Sequence, residues 1–132
     1  MKIALIMRGI PGSGKSTMAN QLAGDKGIVH SADDYFGKGD DYLFDPSRLA
    51  ECHDLNLEAF AESIRARASI VVCDNVNMRR WCFEEYVAIA KEAGYLVAIV
   101  NMPHPEPEVA AKRNIHKCPL ETIKRMIARW EA

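Results

Sequence analysis

At 132 residues, nearly half of them hydrophobic, the chain is sized for one domain whose core buries about two-thirds of the unfolded surface, with no room for a second. A net charge of −1 excludes a global electrostatic attraction to nucleic acid. The four cysteines Cys52, Cys73, Cys82 and Cys118 form no CxxC pair, which excludes a zinc or redox framework.

Lys2 to Arg8 (KIALIMR) is short, apolar and β-compatible, and Thr17 to Ala23 reads as helix. Between them Gly9-Ile10-Pro11-Gly12-Ser13-Gly14-Lys15-Ser16-Thr17 is a complete phosphate-binding loop, in the strand-turn-helix context that it requires. Its glycines let backbone N–H groups approach phosphate oxygens at the positive end of the helix. Lys15 supplies a point charge for the β- and γ-phosphates, and Ser16 a hydroxyl ligand for Mg²⁺. A nucleoside triphosphate is therefore the expected ligand, taken as ATP with Mg²⁺. Thr17 occupies the third glycine position of a dinucleotide fingerprint, which rules that motif out.

Gly24 stops the first helix, and residues 27 to 32 read as a short second strand ending on Asp33-Asp34. Residues 35 to 45 hold two glycines, three acids and the aromatics Tyr35, Phe36, Tyr42 and Phe44, the composition of a partly ordered loop over a site. Asp45-Pro46 opens a long helix with Leu49, Leu55, Leu57, Phe60 and Ile64 for its buried side. Ile70 to Cys73 is a strand buried on both faces, ending on Asp74. Asn77 caps a third helix that packs Trp81, Val87, Ile89 and Ala90 inward and stops at Gly94. Tyr95 to Asn101 is the fourth strand, and two more helices follow with a break near Lys117-Cys118-Pro119.

This order predicts an α/β fold of the P-loop NTPase type over residues 1 to 132: a four-stranded parallel sheet, strand order 2-3-1-4, with helices on both faces. Gly9, Asp33 and Asp74 then fall at the carboxyl edge of the sheet, where ligands bind in open α/β folds. Asp33 is the expected general base, since phosphoryl transfer needs an acceptor for the proton of the attacking hydroxyl. Asp34 caps the following turn or binds metal through water. Asp74 holds Mg²⁺, directly or through water, or orients the acceptor, with Asn75 beside it. Arg113, with Lys112 adjacent and Lys117 a turn on, forms a cationic lid over the phosphates. The four histidines follow no metal-ligand spacing, and Arg79-Arg80 reads as a solvated helix start. Residues 1 to 62 carry six Lys/Arg against ten Asp/Glu and residues 63 to 132 eleven against eight, so the basic half is the one that carries the lid.

Taken together, GIPGSGKST at 9 to 17, SADDYF at 31 to 36, YLFDPSRL at 42 to 49, VVCDNVN at 71 to 77 and KRNIHKCP at 112 to 119 resemble a family of small P-loop kinases. It includes the 5′-hydroxyl kinase domain of bacteriophage polynucleotide kinase. The resemblance implies Lys15, Ser16 and Thr17 on the ATP phosphates and Mg²⁺, Asp33 as base, Asp74 and Asn75 near the acceptor, and Arg113 in the lid. Phe36 stands where the bacteriophage enzyme has a basic residue that contacts the acceptor's phosphate. Lys117 replaces a second lid arginine, keeping charge but losing the bidentate fork, and Val76 stands where a hydroxyl residue is usual. The expected activity is transfer of the γ-phosphoryl group of ATP to a 5′-hydroxyl of a polynucleotide or another hydroxyl on nucleic acid, including one on a modified base. Asp34 and Tyr35 are further substrate-side residues, and Tyr35, Phe36 and Tyr42 are candidates for base stacking. The alternatives are a kinase acting on a nucleoside, sugar or antibiotic hydroxyl, and a P-loop ATPase or nucleotide switch. Scattered thiols and a chain that enters its first strand directly lead to the expectation of a cytoplasmic protein without membrane association.

Overall fold

A computed structural model describes residues 1–132. Four parallel strands, β1 (Ile3–Arg8), β2 (Ile28–His30), β3 (Ile70–Asp74) and β4 (Leu96–Asn101), lie in the expected order β2-β3-β1-β4. In register, Met7 faces Asp74 on one side and Val100 on the other, so the chain leaves β1, β3 and β4 at one edge of the sheet.

Strand alternation sends the apolar residues to two faces. Met7 and Val72 meet Ala19 and Ala23 of α1 (Lys15–Ala23). Ala4, Ile6, Val71 and Cys73 meet Phe60 and Ile64 of α2 (Leu49–Arg65) and Tyr86 and Ala90 of α3 (Glu84–Glu92). A third cluster sits at the phosphate loop: Ile10 packs against Ala110 of α4 (Pro107–Arg113) and Ile123 of α5 (Leu120–Ala128). Each large side chain so buried contributes about 1.5–3 kcal/mol, and this last cluster fixes α4 and α5 to the loop. No helix is long and apolar enough to cross a membrane.

Four local expectations are corrected. Strand β2 stops at His30, because the Ala32 N–H bonds the Asn75 side chain at 2.9 Å and the chain turns into a 3₁₀ segment, Ala32–Phe36, carrying both acids. Residues 35 to 45 fold on themselves around Phe36, whose ring lies 5.1 Å from Phe44 and 6.1 Å from Tyr42. Phe36 is 4% exposed and therefore no surface for stacking a base. Asp45 caps a 3₁₀ turn, Pro46–Arg48, through the Ser47 N–H at 3.0 Å, so α2 starts later and its buried stripe runs through Cys52, Asn56, Phe60 and Ser63, leaving Leu49 exposed. Asn77 is no helix cap: with φ +51 it turns its amide inward to donate to the Met7 carbonyl at 2.7 Å. Helix α3 begins seven residues on, at Glu84, and Trp81 is left 73% exposed.

Candidate functional site

The phosphate loop leaves β1 at Gly9, whose N–H bonds the Val76 carbonyl at 3.1 Å. Gly12 and Gly14 take φ of +83 and +85, the left-handed region that glycine enters without strain. A side chain at Gly12 would run into the Ala110 carbonyl, so the loop needs glycine there for α4 to dock. At Gly9 a Cβ would fall 2.6 Å from Ser13 Oγ. That hydroxyl is buried and has no protein partner, a polar atom left over in a loop built for polar contacts. Helix α1 starts at Lys15, so its first-turn N–H groups have no partner within the helix and form an anion site beside the loop.

Lys15 and Ser16 converge on one carboxylate. Lys15 Nζ lies 2.8 Å from Asp74 Oδ1, and Ser16 Oγ donates to Oδ2 at 2.9 Å. Asp74 ends β3 and is 3% exposed, so it depends on these partners to offset its lost hydration. A hydroxyl and a carboxylate side by side are hard oxygen ligands of the kind Mg²⁺ takes. No group of three His, Cys, Asp or Glu side chains gathers elsewhere as a cage. The donor set thus fits an ion held by Ser16 and Asp74 together with phosphate oxygens. Asn75 is buried, and its side-chain oxygen accepts from the Ala32 N–H, so it holds the turn that carries Asp33. Tyr86 supports this from below: its hydroxyl accepts from Asn56 Nδ2 at 3.1 Å and lies 3.5 Å from Asn75 Nδ2, and burial pushes its pKa up.

On the turn after β2, Asp33 is half-exposed. Tyr42 donates its hydroxyl to Oδ1 at 3.5 Å, and His116 Nε2 lies 3.7 Å from Oδ2. Burial first, then the Asp33 charge, hold the Tyr42 phenol up to about 12, keeping it a neutral donor. Asp34 points to the exposed side. With His30, Tyr35, Lys38 and Asn56 it lines a cavity of about 300 Å³. Tyr35 leans on α2, its hydroxyl 3.5 Å from the Leu55 carbonyl.

The residues expected to form a lid come from the end of α4 and the turn after it. Arg113 Nη2 sits 3.8 Å from the point a Cβ on Gly14 would occupy, directly over the loop. Lys112 and Lys117 are exposed, and Lys117 holds φ +57. Asn114 staples this turn, accepting from the Cys118 N–H at 2.6 Å and donating to the Ala110 and Ala111 carbonyls at 3.1 and 3.0 Å. The structure thus gathers Gly9, Pro11, Gly12, Ser13, Gly14, Lys15, Ser16, Asp74 and Arg113 around the loop, and Asp33, Tyr42 and His116 beside it.

Sequence reasoning missed His116, which has no local signal, and Arg8, whose signal is a charge in an apolar strand. Arg8 is 3% exposed and donates to the carbonyls of Asn77 at 2.8 Å, Met78 at 3.1 Å and Glu131. Its guanidinium lies between the rings of Phe83 and Trp130, at 4.8 and 5.0 Å. Arg79 and Arg80 bind the last residues as well, on the carbonyls of Arg129 at 3.2 Å and Ala132 at 3.1 Å, and are not simply solvated.

Residues 5–132 match the family described as AAA domain. The human NEDD4-binding protein 2 is 34% identical over 135 residues, a match covering 98% of this chain and 8% of that protein. The chain spans about a tenth of the curated relatives it matches, 8% and 11% of the first two. Among solved structures, a chain of the Pnkp1/Rnl/Hen1 RNA repair complex superposes with TM-score 0.71 and 20% identity, over 97% of this chain and 43% of that one. Kti12 of Chaetomium thermophilum, in complex with ADP-AlF3, gives TM-score 0.68 at 15% identity, over 98% and 80%. At these identities the structural matches establish the P-loop kinase-like fold.

Proposed function

The chain belongs to this AAA domain family, and on that premise we propose that it is an ATP- and Mg²⁺-dependent kinase, one domain over residues 1–132. The observation that carries the reading is a single edge of the sheet on which Lys15 and Ser16 meet Asp74, Arg113 overhangs Gly14, and Asp33 stands at the end of the neighbouring turn. Donor grip, charge stabilisation and a proton acceptor are the parts phosphoryl transfer needs. In this reading the loop N–H groups, Lys15 and Thr17 bind the triphosphate. Ser16 and Asp74 would hold Mg²⁺, which would supply positive charge against the phosphates. Asp33 takes the proton from the attacking hydroxyl at its carboxylate. Arg113, with Lys117, stabilises charge spread over the transferring group and keeps water from the site.

The acceptor we assign is a hydroxyl on nucleic acid, with the 5′-hydroxyl of a polynucleotide first. Its support is the motif resemblance, the likeness in fold to a chain of an RNA repair complex, and an exposed basic lid beside Asp33. A second reading, a small-molecule acceptor, draws on the burial of Phe36, which leaves no side chain there to bind an acceptor phosphate. Offering labelled ATP with 5′-hydroxyl oligonucleotides, hydroxymethylated duplex DNA, nucleosides and sugars separates the two. Label on the oligonucleotides or DNA, falling steeply with salt, supports the nucleic-acid acceptor. Label only on nucleosides or sugars overturns it, and hydrolysis at one rate whatever is added overturns the kinase.

A further inference from the structure

Three segments distant in sequence meet at the acceptor-side carboxylate. Tyr42 donates to one oxygen of Asp33 at 3.5 Å, and His116 Nε2 stands 3.7 Å from the other. The two rings are stacked, centroids 4.2 Å apart and planes 29° off parallel, so the pair forms one wall. His116 rides on the turn that Asn114 staples, three residues beyond Arg113. One rigid turn therefore touches both halves of the site: Arg113 over the phosphate loop and His116 on the candidate base.

We infer that His116 is a positioning residue that ties lid closure to the orientation of Asp33. This rests on the kinase reading above. A half-exposed carboxylate on a 3₁₀ turn has rotational freedom that a general base must lose, and misplacement of about 1 Å costs roughly 10²-fold in rate. Tyr42 takes one lone pair on Oδ1 and His116 Nε2 stands near Oδ2, and since a carboxylate offers about four lone pairs, at least two remain for the incoming hydroxyl. The Tyr42 bond is long at 3.5 Å and the His116 contact at 3.7 Å lies beyond hydrogen-bond distance, so closure has to bring Nε2 nearer to complete it. Phosphates drawing Arg113 down pull the same turn, and with it His116, onto Asp33. The donor thereby sets the base that serves the acceptor.

The test uses His116→Phe, which keeps the ring on Tyr42 and removes Nε2, beside His116→Gln, which restores an N–H donor. With the acceptor that the labelled-ATP panel identifies, kcat of His116→Phe should fall about tenfold while ATP affinity falls far less and the thermal midpoint stays at the wild-type value. His116→Gln should recover part of the loss. In an Asp33→Asn background His116→Phe should cost nothing further, because the two act as one unit. Unchanged kcat in His116→Phe, a parallel loss of ATP affinity, or full additivity with Asp33→Asn each overturns the role of His116 and leaves the kinase standing. A wild-type chain that phosphorylates no acceptor overturns both.

Discussion

Asp74 is the residue on which the donor side turns, because it is almost fully buried and both of its oxygens are engaged, by Lys15 and Ser16. Lys15→Ala removes the charge meant for phosphate and also leaves Asp74 with Ser16 alone. ATP affinity and turnover should fall together, and the protein should melt earlier without nucleotide, as calorimetry with and without ATP will register. Asp33 is half-exposed and its side chain meets Tyr42 and His116 rather than the phosphate loop, so its change should separate those effects. Asp33→Asn should leave ATP affinity nearly intact and lower kcat by about 10² to 10⁴, the usual range for removing a general base. If Asp34→Asn produces that loss and Asp33→Asn does not, the base is Asp34. Arg113→Ala should lower kcat more than it weakens ATP, since its charge is needed most at the transition state.

At the scale of elements, two junctions decide how the site is held. The first is between the phosphate loop and α4, where Gly12 meets the Ala110 backbone. Gly12→Ala meets both a left-handed φ of +83 and that carbonyl, so the lid should be displaced. Loss of ATP binding together with a lowered thermal midpoint is the expected outcome, whereas a normal titration with ATP would show the helix free to yield. The second is between β2 and α2, where His30 Nε2 lies 2.8 Å from Ser63 Oγ and the His30 carbonyl accepts from Asn56. Burial lowers the His30 pKa, with Asp34 opposing. The unfolded chain then binds the proton first as pH falls below about 6.5. Stability from this junction is full above that pH and is lost as pH falls towards the lowered folded value. Urea midpoints should decline over that window, and His30→Gln should flatten the decline.

Across the whole molecule, Arg8 joins parts that no single element connects. Its guanidinium reaches the loop after β3, Asn101 at the end of β4 through a 3.3 Å bond, and Glu131 beyond α5. The Glu131 N–H answers by bonding the Met78 carbonyl at 3.0 Å. Arg8→Met keeps much of the volume but leaves the buried Asn77 carbonyl without its donor and removes the part-buried bonds to Met78, Glu131 and Asn101, a buried hydrogen bond to a charged group being worth about 1.5–3 kcal/mol. A loss of about 3 kcal/mol in urea unfolding is expected. Deleting residues 129 to 132 should cost a similar amount, and the two together little more than either alone. Full additivity would mean that the contacts act independently.

Much of this architecture was legible in the chain because its signals are contiguous. Nine consecutive residues define the phosphate loop, apolar runs ending on Arg8, Asp74 and Asn101 mark three strands, and Gly24 and Gly94 stop helices with φ of +60 and +85. From these the strand order and the edge bearing Lys15, Asp33, Asp74 and Arg113 follow by topology. What lies inside and what lies outside along irregular segments did not follow. Phe36 is buried by Phe44 and Tyr42, Trp81 is exposed because Asn77 turns inward, and neither outcome is encoded by neighbours in sequence. The pairings of His116 with Asp33 and of Arg8 with Glu131, the latter 123 positions apart, were decided only by the tertiary structure. Local pattern specifies backbone conformation through short-range sterics and burial, whereas a side chain's partner depends on which distant segments packing brings within a few ångströms.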